Sequence, residues 1–523
     1  MKVENFLAVY EQALKCYKQG DCDTAWQMIT EFEQEQGTQV LLGGLLKAYI
    51  LRTQKKYVSE ISLLEDLVRD FMDSEDKKRL ADAYSLLGAA YRMLGQSESA
   101  VAAFVRSAQL EPSTGRQLTE ISNALFAANA IEDLPAAKMQ ELYAQYRRDL
   151  QEMAVPAYPK PAWHHSKIRV GYLSADLRDH AVGQFVRPFF FHYNPADFEV
   201  FVYQLNKDSD FVTEDLRSAP AHWRNLAGAE FAEIARVIRE DEIDILVELG
   251  GHTAGNALPV FAYRPAAVQL SGIGYFNSTG IHECDGFLSD IYCAPEENSP
   301  YFTEKLLRLS NTHFCYQPYK TFPQVSPPPC LQNGYITFGS FNNFAKVNDG
   351  MLHLWREILL RVANSRLILK HQLLGTEEGR TYTLNRLKKL QLPIERIELR
   401  PYAKDYLQEY ADMDIALDTA PYPGGLTTCE ALYMGVPVVV LSGNRHGARF
   451  GKSFLSNLGL AELAAETADQ YVNIAVAMAG DQELLLALRQ NLRRMMQASP
   501  LMDAQGYMRD VEHLYRKILA EIN

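Results

Sequence analysis

Cysteine is scarce in this chain. Seven residues (Cys16, Cys22, Cys284, Cys293, Cys315, Cys330, Cys429) are scattered over 523, and none forms a CxxC. An odd number cannot all pair internally, so the pattern excludes a disulfide scaffold and fits a reducing, cytoplasmic setting. No run approaches ~18 consecutive apolar residues, which excludes a membrane-spanning helix. The opening MKVENFLAVYEQALKCYKQG reaches Glu4 before any apolar core, which makes a poor signal peptide. Positive charge is in deficit: 52 Lys+Arg against 65 Asp+Glu leave a net −13. A nucleic-acid partner is therefore not expected, while a local basic pocket for a small phosphate ligand is compatible with the balance. Neither GxxxxGK[ST] nor HExxH occurs, so P-loop and zincin chemistry are excluded. Asp412-Met413-Asp414 spells DxD but leads straight into an apolar strand, where one or both acids are expected to face solvent ahead of the core. His164-His165 lacks a third ligand nearby.

What remains is a globular composition, 47% apolar and 22% charged, with a length that suggests about three domains. Residues 1–153 read as helical: no proline precedes Pro112, and apolar residues recur at helical spacing. The segment ADAYSLLGAAYRMLGQSESAVAAFVRSAQLEP fits a tetratricopeptide-like repeat. Tyr84, Leu87, Gly88 and Tyr91 fall on its first helix, Gly95 in the turn, Ala100, Phe104 and Ala108 on the second helix, and Pro112 closes it. Aligning Gly20 with Gly95 places a weaker copy from about Phe6. A third, around Leu42 to Leu67, lacks the turn glycine. Stacked helical pairs create concave surfaces, so a partner-binding role is expected of them.

The composition changes at residues 154–166, where Pro156, Pro159 and Pro161 sit among Tyr158 and Trp163 as a linker. From 167 to 326 the strands KIRVGYLSAD, FEVFVYQLN and IDILVELGG alternate with helical stretches. After a joint at Ser326-Pro327-Pro328-Pro329, residues 333–523 repeat the alternation through YITFGSFNN, SRLILKHQ, RIELRPY, MDIALDT and PVVVLSG. Both are α/β units with parallel sheets. A final helix presents Met508, Val511, Leu514, Tyr515, Ile518, Leu519 and Ile522 on one face and is expected to cap or cross between the units.

Ligands of open parallel sheets sit at the carboxyl ends of the strands, so the loops there hold the candidates. In LDTAPYPGGLTTCEALYMG, a tight loop through Gly424 and Gly425 opens a helix at Thr427 and Thr428. Free N–H groups at a helix start, with two hydroxyls beside them, suit a phosphate without a metal. Glu430, one turn in, suits a ribose diol. In ITFGSFNNFAKVND, Lys346 lies just past a strand end, where it can neutralise a departing diphosphate. His180, in YLSADLRDHAVGQF, can accept or relay a proton. ELGGHTAGN and QLSGIGYFNSTG bring Gly274, Tyr275 and a second imidazole, His252, to the acceptor side of such a cleft.

Five collinear blocks between Lys167 and about Asp481 carry a resemblance: RVGYLSADLRDHAVGQF, FEVFVYQL, IDILVELGGHTAGNALPVFAYRPAAVQLSGIGYFNSTG, FGSFNNFAKVNDGMLHLWREILLRVANSRLIL and IALDTAPYPGGLTTCEALYMGVPVVVLSG. They resemble the catalytic region of the protein O-GlcNAc transferase family, which includes SPINDLY-like proteins and carries tetratricopeptide-like repeats ahead of that region. The resemblance implies a GT-B fold of two Rossmann-like domains. It implies inverting transfer of a sugar, most often GlcNAc, from a UDP-sugar to Ser or Thr hydroxyls of a protein acceptor, with no metal or other cofactor. The acceptor is expected to engage the repeats. Carried over, His180 matches a histidine assigned to base or positioning duty and Lys346 the diphosphate lysine. Asn343 falls beside the uridine nucleotide, Thr427 and Thr428 at the phosphate-binding helix, and Glu430 at the ribose. The chain departs from the family at Leu426, and near Ala403 or Tyr406, where members carry His. It also has GYFN for GYPG at Gly274–Asn277. Three alternatives stay open: a cytoplasmic N-glucosyltransferase acting on Asn of adhesins, an enzyme acting on free sugar nucleotides, and a non-catalytic repeat scaffold with a degenerate transferase half.

Overall fold

The structure is a computed structural model that describes residues 2–153, 155–161 and 165–522. Of the expected linker, Ala154 and residues 162–164, with Trp163 and His164, lie outside the described residues.

Among the described residues eight helices come first: α1 (Lys2–Lys18), α2 (Cys22–Gln36), α3 (Leu41–Thr53), α4 (Tyr57–Asp70), α5 (Lys77–Met93), α6 (Ser97–Leu110), α7 (Thr114–Ala128) and α8 (Ala136–Glu152). They form four antiparallel pairs. Asp21 and Asp76 cap α2 and α5 by accepting from the amides of Thr24 and Arg79. The sharp turns inside the first and third pairs need left-handed backbone, supplied by Gly20 (φ 89°) and Gly95 (φ 75°). In the second pair Lys55 takes the same conformation at φ 58°. The pair therefore forms without its glycine, at the modest steric cost of a Cβ there. Gly88 is small for a packing reason: a Cβ would stand 2.8 Å from the Phe104 ring on α6.

Next among the described residues come seven parallel strands, β1 (Ile168–Ser174), β2 (Phe198–Gln204), β3 (His222–Asn225), β4 (Ile245–Glu248), β5 (Val268–Gly272), β6 (Gly286–Asp290) and β7 (Lys305–Leu309). Their order in the sheet is β3-β2-β1-β4-β5-β6-β7. The second unit has β8 (Ile336–Ser340), β9 (Ser365–Lys370), β10 (Ile397–Arg400), β11 (Ile415–Leu417), β12 (Val438–Leu441) and β13 (Ala464–Ala465), ordered β10-β9-β8-β11-β12-β13. Central strands such as β4, β5 and β8 are buried along their whole length. They accordingly read as continuous apolar runs rather than alternating ones. The order reverses beside β1 in one sheet and beside β8 in the other, the topological switch points of a doubly wound fold.

Two packing features join the parts. The last helix, Ala504–Ile522, crosses back to the first sheet: Tyr515 and Tyr172 share a hydroxyl hydrogen bond of 3.2 Å, and Tyr507 donates to the His313 carbonyl at 2.9 Å. The helical layer seals against both units. Ser122 on α7 meets His252, while the Gly95 turn lies against the backbone carbonyls of residues 344–347.

Candidate functional site

The switch points of the two sheets face one another across a cavity of about 470 Å3. From the first unit, the loop after β1 brings Asp176, Arg178 and His180, and the loop after β4 brings His252. From the second, the loop after β8 brings Asn342, Asn343 and Lys346, and the loop after β11 brings Tyr422, Gly425 and Thr427. Phe276, Phe314 and Phe450 form an aromatic wall, and Gly274 lies beside them. A Cβ on Gly274 would stand 1.9 Å from the Leu249 carbonyl oxygen, so only glycine lets these two strand-end loops touch.

Asp418, at the end of β11, organises the second unit's half. Its buried carboxylate accepts from Asn342 Nδ2 (2.8 Å) and the amides of Thr419 (2.8 Å) and Gly424 (2.7 Å), and from the Thr428 hydroxyl (3.2 Å). Asn342 in turn accepts from the Thr427 hydroxyl at 2.6 Å. The loop is thereby folded tightly onto the helix Leu426–Tyr433, whose N-cap, Gly425, has no side chain to satisfy the first-turn amides. Those free N–H groups and the partial positive charge of the helix start suit an anion.

Lys346 lies over this loop. Its Nζ donates to the Pro423 carbonyl at 2.9 Å and sits 3.8 Å from the centre of the Tyr422 ring. No carboxylate among the described residues lies within ion-pair distance of it. Burial pushes its pKa down to about 8, with Asp418 pulling the other way. An ammonium held with so little counter-charge is set to gain from an arriving anion. Arg178 and Arg92 add two guanidinium groups to the lining.

His180 lines the cavity with its Nδ1 accepting from the Val182 amide at 3.3 Å and 3.6 Å from Asp176 Oδ1. Burial, with Arg178, lowers its pKa against the pull of Asp176 and Asp179. In the neutral ring that backbone contact leaves the proton on Nε2, so His180 offers the cleft a donor.

Other expected residues take different places. His252 borders the cavity, but both its nitrogens are engaged, Nδ1 with the Ser122 hydroxyl (2.9 Å) and Nε2 with the Thr279 carbonyl (2.8 Å). Burial takes its pKa down to about 4. It is a neutral tie between α7 and the first sheet rather than a free base. Tyr275 is buried behind the wall, its hydroxyl accepting from Asn129 at 3.1 Å, and does not line the cavity. Thr428 turns inward to Asp418, leaving Thr427 as the member of the pair that lines the cavity. Glu430 is buried beyond the lining, holds the Tyr406 hydroxyl, and is pushed up to about 7 by burial against Tyr406 and Lys320. Lys320 reaches both the Tyr406 hydroxyl (3.4 Å) and Asp179 (3.9 Å), so a polar string spans from the loop of His180 to Glu430. The acids of Asp412-Met413-Asp414 are spent on structure: Asp412 pairs with Arg400, and Asp414 accepts the amides of Cys330 and Thr337.

Asp418 and Arg92 are not among the residues expected at the site from the sequence. Asp418 carried a signal, an acid closing an apolar strand before a glycine loop. Arg92 carried none, because its role depends on how the repeats dock.

Comparison with known proteins agrees with this architecture. The sequence profile of glycosyl transferase family 41 matches residues 149–328 and 329–511. A Solanum lycopersicum protein described as a probable UDP-N-acetylglucosamine–peptide N-acetylglucosaminyltransferase SPINDLY is 37% identical over 409 residues, 76% of this chain and 44% of its own. The Arabidopsis thaliana protein of the same description is 39% identical over 358 residues, 67% of this chain and 39% of its own. The chain thus spans less than half the length of these curated relatives. A solved structure of a mutant Thermobaculum terrenum O-GlcNAc transferase superposes with a TM-score of 0.86 at 28% identity, covering 100% of this chain and 98% of that one.

Proposed function

The chain belongs to glycosyl transferase family 41, and from that premise we propose that it transfers a sugar, GlcNAc foremost, from a UDP-sugar to Ser or Thr hydroxyls of a protein. The observation that carries the reading is the convergence of Lys346, Thr427 and the uncapped helix start at Gly425 on the same interdomain cavity as His180.

The chemistry follows from that placement. The acceptor hydroxyl attacks the anomeric carbon and loses its proton to solvent as the bond to the diphosphate breaks on the opposite face, which inverts the configuration. Negative charge grows on the leaving diphosphate, between the Lys346 ammonium and the first-turn amides of the helix Leu426–Tyr433. Fixed donors aimed at developing charge are usually the largest catalytic term. They replace a metal in that duty, so transfer proceeds without a divalent ion. Asn343 serves the nucleoside end, and Glu430 stands behind the lining, accepting from the Tyr406 hydroxyl. His180 donates from Nε2 to the sugar or acceptor oxygen. Gly274 leaves room for the acceptor beside the aromatic wall, and the concave helical layer, which contributes Arg92 and Asn123 to the cavity, engages the acceptor protein. Seven free thiols support a cytoplasmic setting. No described helix is long and apolar enough to cross a membrane.

A donor screen tests the reading: UDP-GlcNAc, UDP-glucose, UDP-GalNAc and GDP-fucose are each offered, and transfer to protein is mapped by mass spectrometry. The proposal requires UDP-GlcNAc to be the best donor and Ser or Thr the modified residue. Glucose on Asn, or a free sugar product, would overturn it.

A further inference from the structure

Behind the aromatic wall, three residues from both units meet. Cys293 follows β6, His313 follows β7 and His446 follows β12. One donor atom of each lies within 4.8 Å of the others, and all three side chains are buried. The hydrogen bonds fix which ring atoms remain free. His313 Nδ1 lies 2.6 Å from Asp290 Oδ2, and His446 Nδ1 lies 3.2 Å from the Phe276 carbonyl oxygen. A carbonyl oxygen only accepts, so His446 carries its proton on Nδ1 and keeps a bare lone pair on Nε2. The Asp290 carboxylate imposes the same tautomer on His313. Neither Nε2 has a hydrogen-bond partner among the described residues, and leaving buried polar atoms unpartnered is costly. An imidazole whose N–H is anchored on a carboxylate or carbonyl, with its second nitrogen bare, is the arrangement of a metal-ligating histidine.

We propose that Cys293, His313 and His446 bind one zinc-class divalent ion. Burial pushes the Cys293 thiol well above its ordinary pKa, so the ion must displace that proton, and binding releases it to solvent. The Asp290 oxygens are already committed to His313, to Ser453 and to the Cys293 amide, which leaves the fourth position to a water. Tetrahedral zinc holds its ligand atoms about 3.3–3.8 Å apart, so binding needs the three side chains to close by no more than about 1.5 Å from separations within 4.8 Å. Two ligands come from the first unit and one from the second. The ion is therefore a clasp between the two halves of the cleft, behind the wall rather than in it. His313 packs on Phe314 (4.0 Å between ring centres) and His446 on Phe450 (5.7 Å), so the clasp also sets the position of that wall. The ion touches neither Lys346 nor Thr427.

The test uses the full chain, purified without a polyhistidine tag. Elemental analysis after incubation with equimolar Zn2+ and dialysis is expected to find one zinc per chain. Substitution with Co2+ is expected to give a thiolate-to-cobalt charge-transfer band in the near ultraviolet. Cys293→Ser should abolish that band, and Cys293→Ser and His446→Gln should each lower zinc content more than about tenfold with an unchanged far-ultraviolet circular dichroism spectrum. Wild-type protein that takes up less than a tenth of an equivalent and shows no cobalt band would overturn the proposal, and so would folded variants that keep their zinc. The wild-type measurement decides alone if a variant fails to fold.

Discussion

Replacing Lys346 with alanine removes the ammonium aimed at the leaving group. The fold loses the hydrogen bond to the Pro423 carbonyl, about 1 kcal/mol, and the cation contact with the Tyr422 ring, about 0.5–2 kcal/mol. That loss is offset by removing a cation that burial already disfavours. Melting is therefore expected to shift by no more than a few degrees. Catalysis loses a donor positioned on developing charge, which typically costs about 10²–10³ in rate, or about 2.7–4 kcal/mol. The same residue predicts the pH dependence. The ammonium must be charged to act, and its pKa in the free enzyme is about 8. So kcat/KM is full below that pH and falls as pH rises through it. A bound diphosphate raises the lysine pKa, so the basic limb of kcat lies at higher pH than that of kcat/KM. Initial rates across pH 6–10 for wild type and Lys346→Ala read both effects. A variant within a few-fold of wild type, or one that keeps the basic limb, would refute the reasoning.

Three further outcomes are expected. His180→Gln keeps a side-chain donor and should hold activity within about tenfold, while His180→Ala falls further, toward about 10²-fold; a Gln variant as inactive as Ala would point to a base. Gly424→Ala places a Cβ 2.4–2.5 Å from the Thr427 and Thr428 hydroxyls, so calorimetry should show UDP affinity falling by about 1–3 kcal/mol, against unchanged affinity if the loop is mere scaffold. Arg92→Met removes a guanidinium that the repeats lend to the cleft; it should raise KM with little change in melting temperature, and unchanged kinetics would separate the repeats from the site.

The two Rossmann-like units and the helical repeats were legible because their signals are local. β1, β2, β4 and β8–β12 announce themselves as apolar runs. β3, β5, β6, β7 and β13 did not: β3 is a polar edge strand, β13 has two residues, and β5 reads as part of a glycine-rich loop. The second repeat pair hid its turn because Lys55 adopts a conformation that sequence assigns to glycine. Lys346, Thr427 and His180 could be expected at the cavity they line because strand-end loops face it in this topology. The inward turn of Thr428 could not, since nothing local shows that Asp418 claims its hydroxyl. His252 looked like chemistry because its partner, Ser122, lies 130 residues away. The Cys293, His313 and His446 cluster is invisible for the same reason: no spacing rule joins residues 20 and 133 positions apart.

In the proposed reaction one cleft holds a nucleoside diphosphate, without a metal ion, between Lys346 and the helix start at Gly425. Calorimetric titration of UDP into wild-type and Lys346→Ala protein, in buffer free of added divalent cations, tests it directly. Saturable one-to-one binding by wild type is expected, with a loss of more than about tenfold in affinity in the variant. No heat with wild type, or equal affinities for the two proteins, would contradict it.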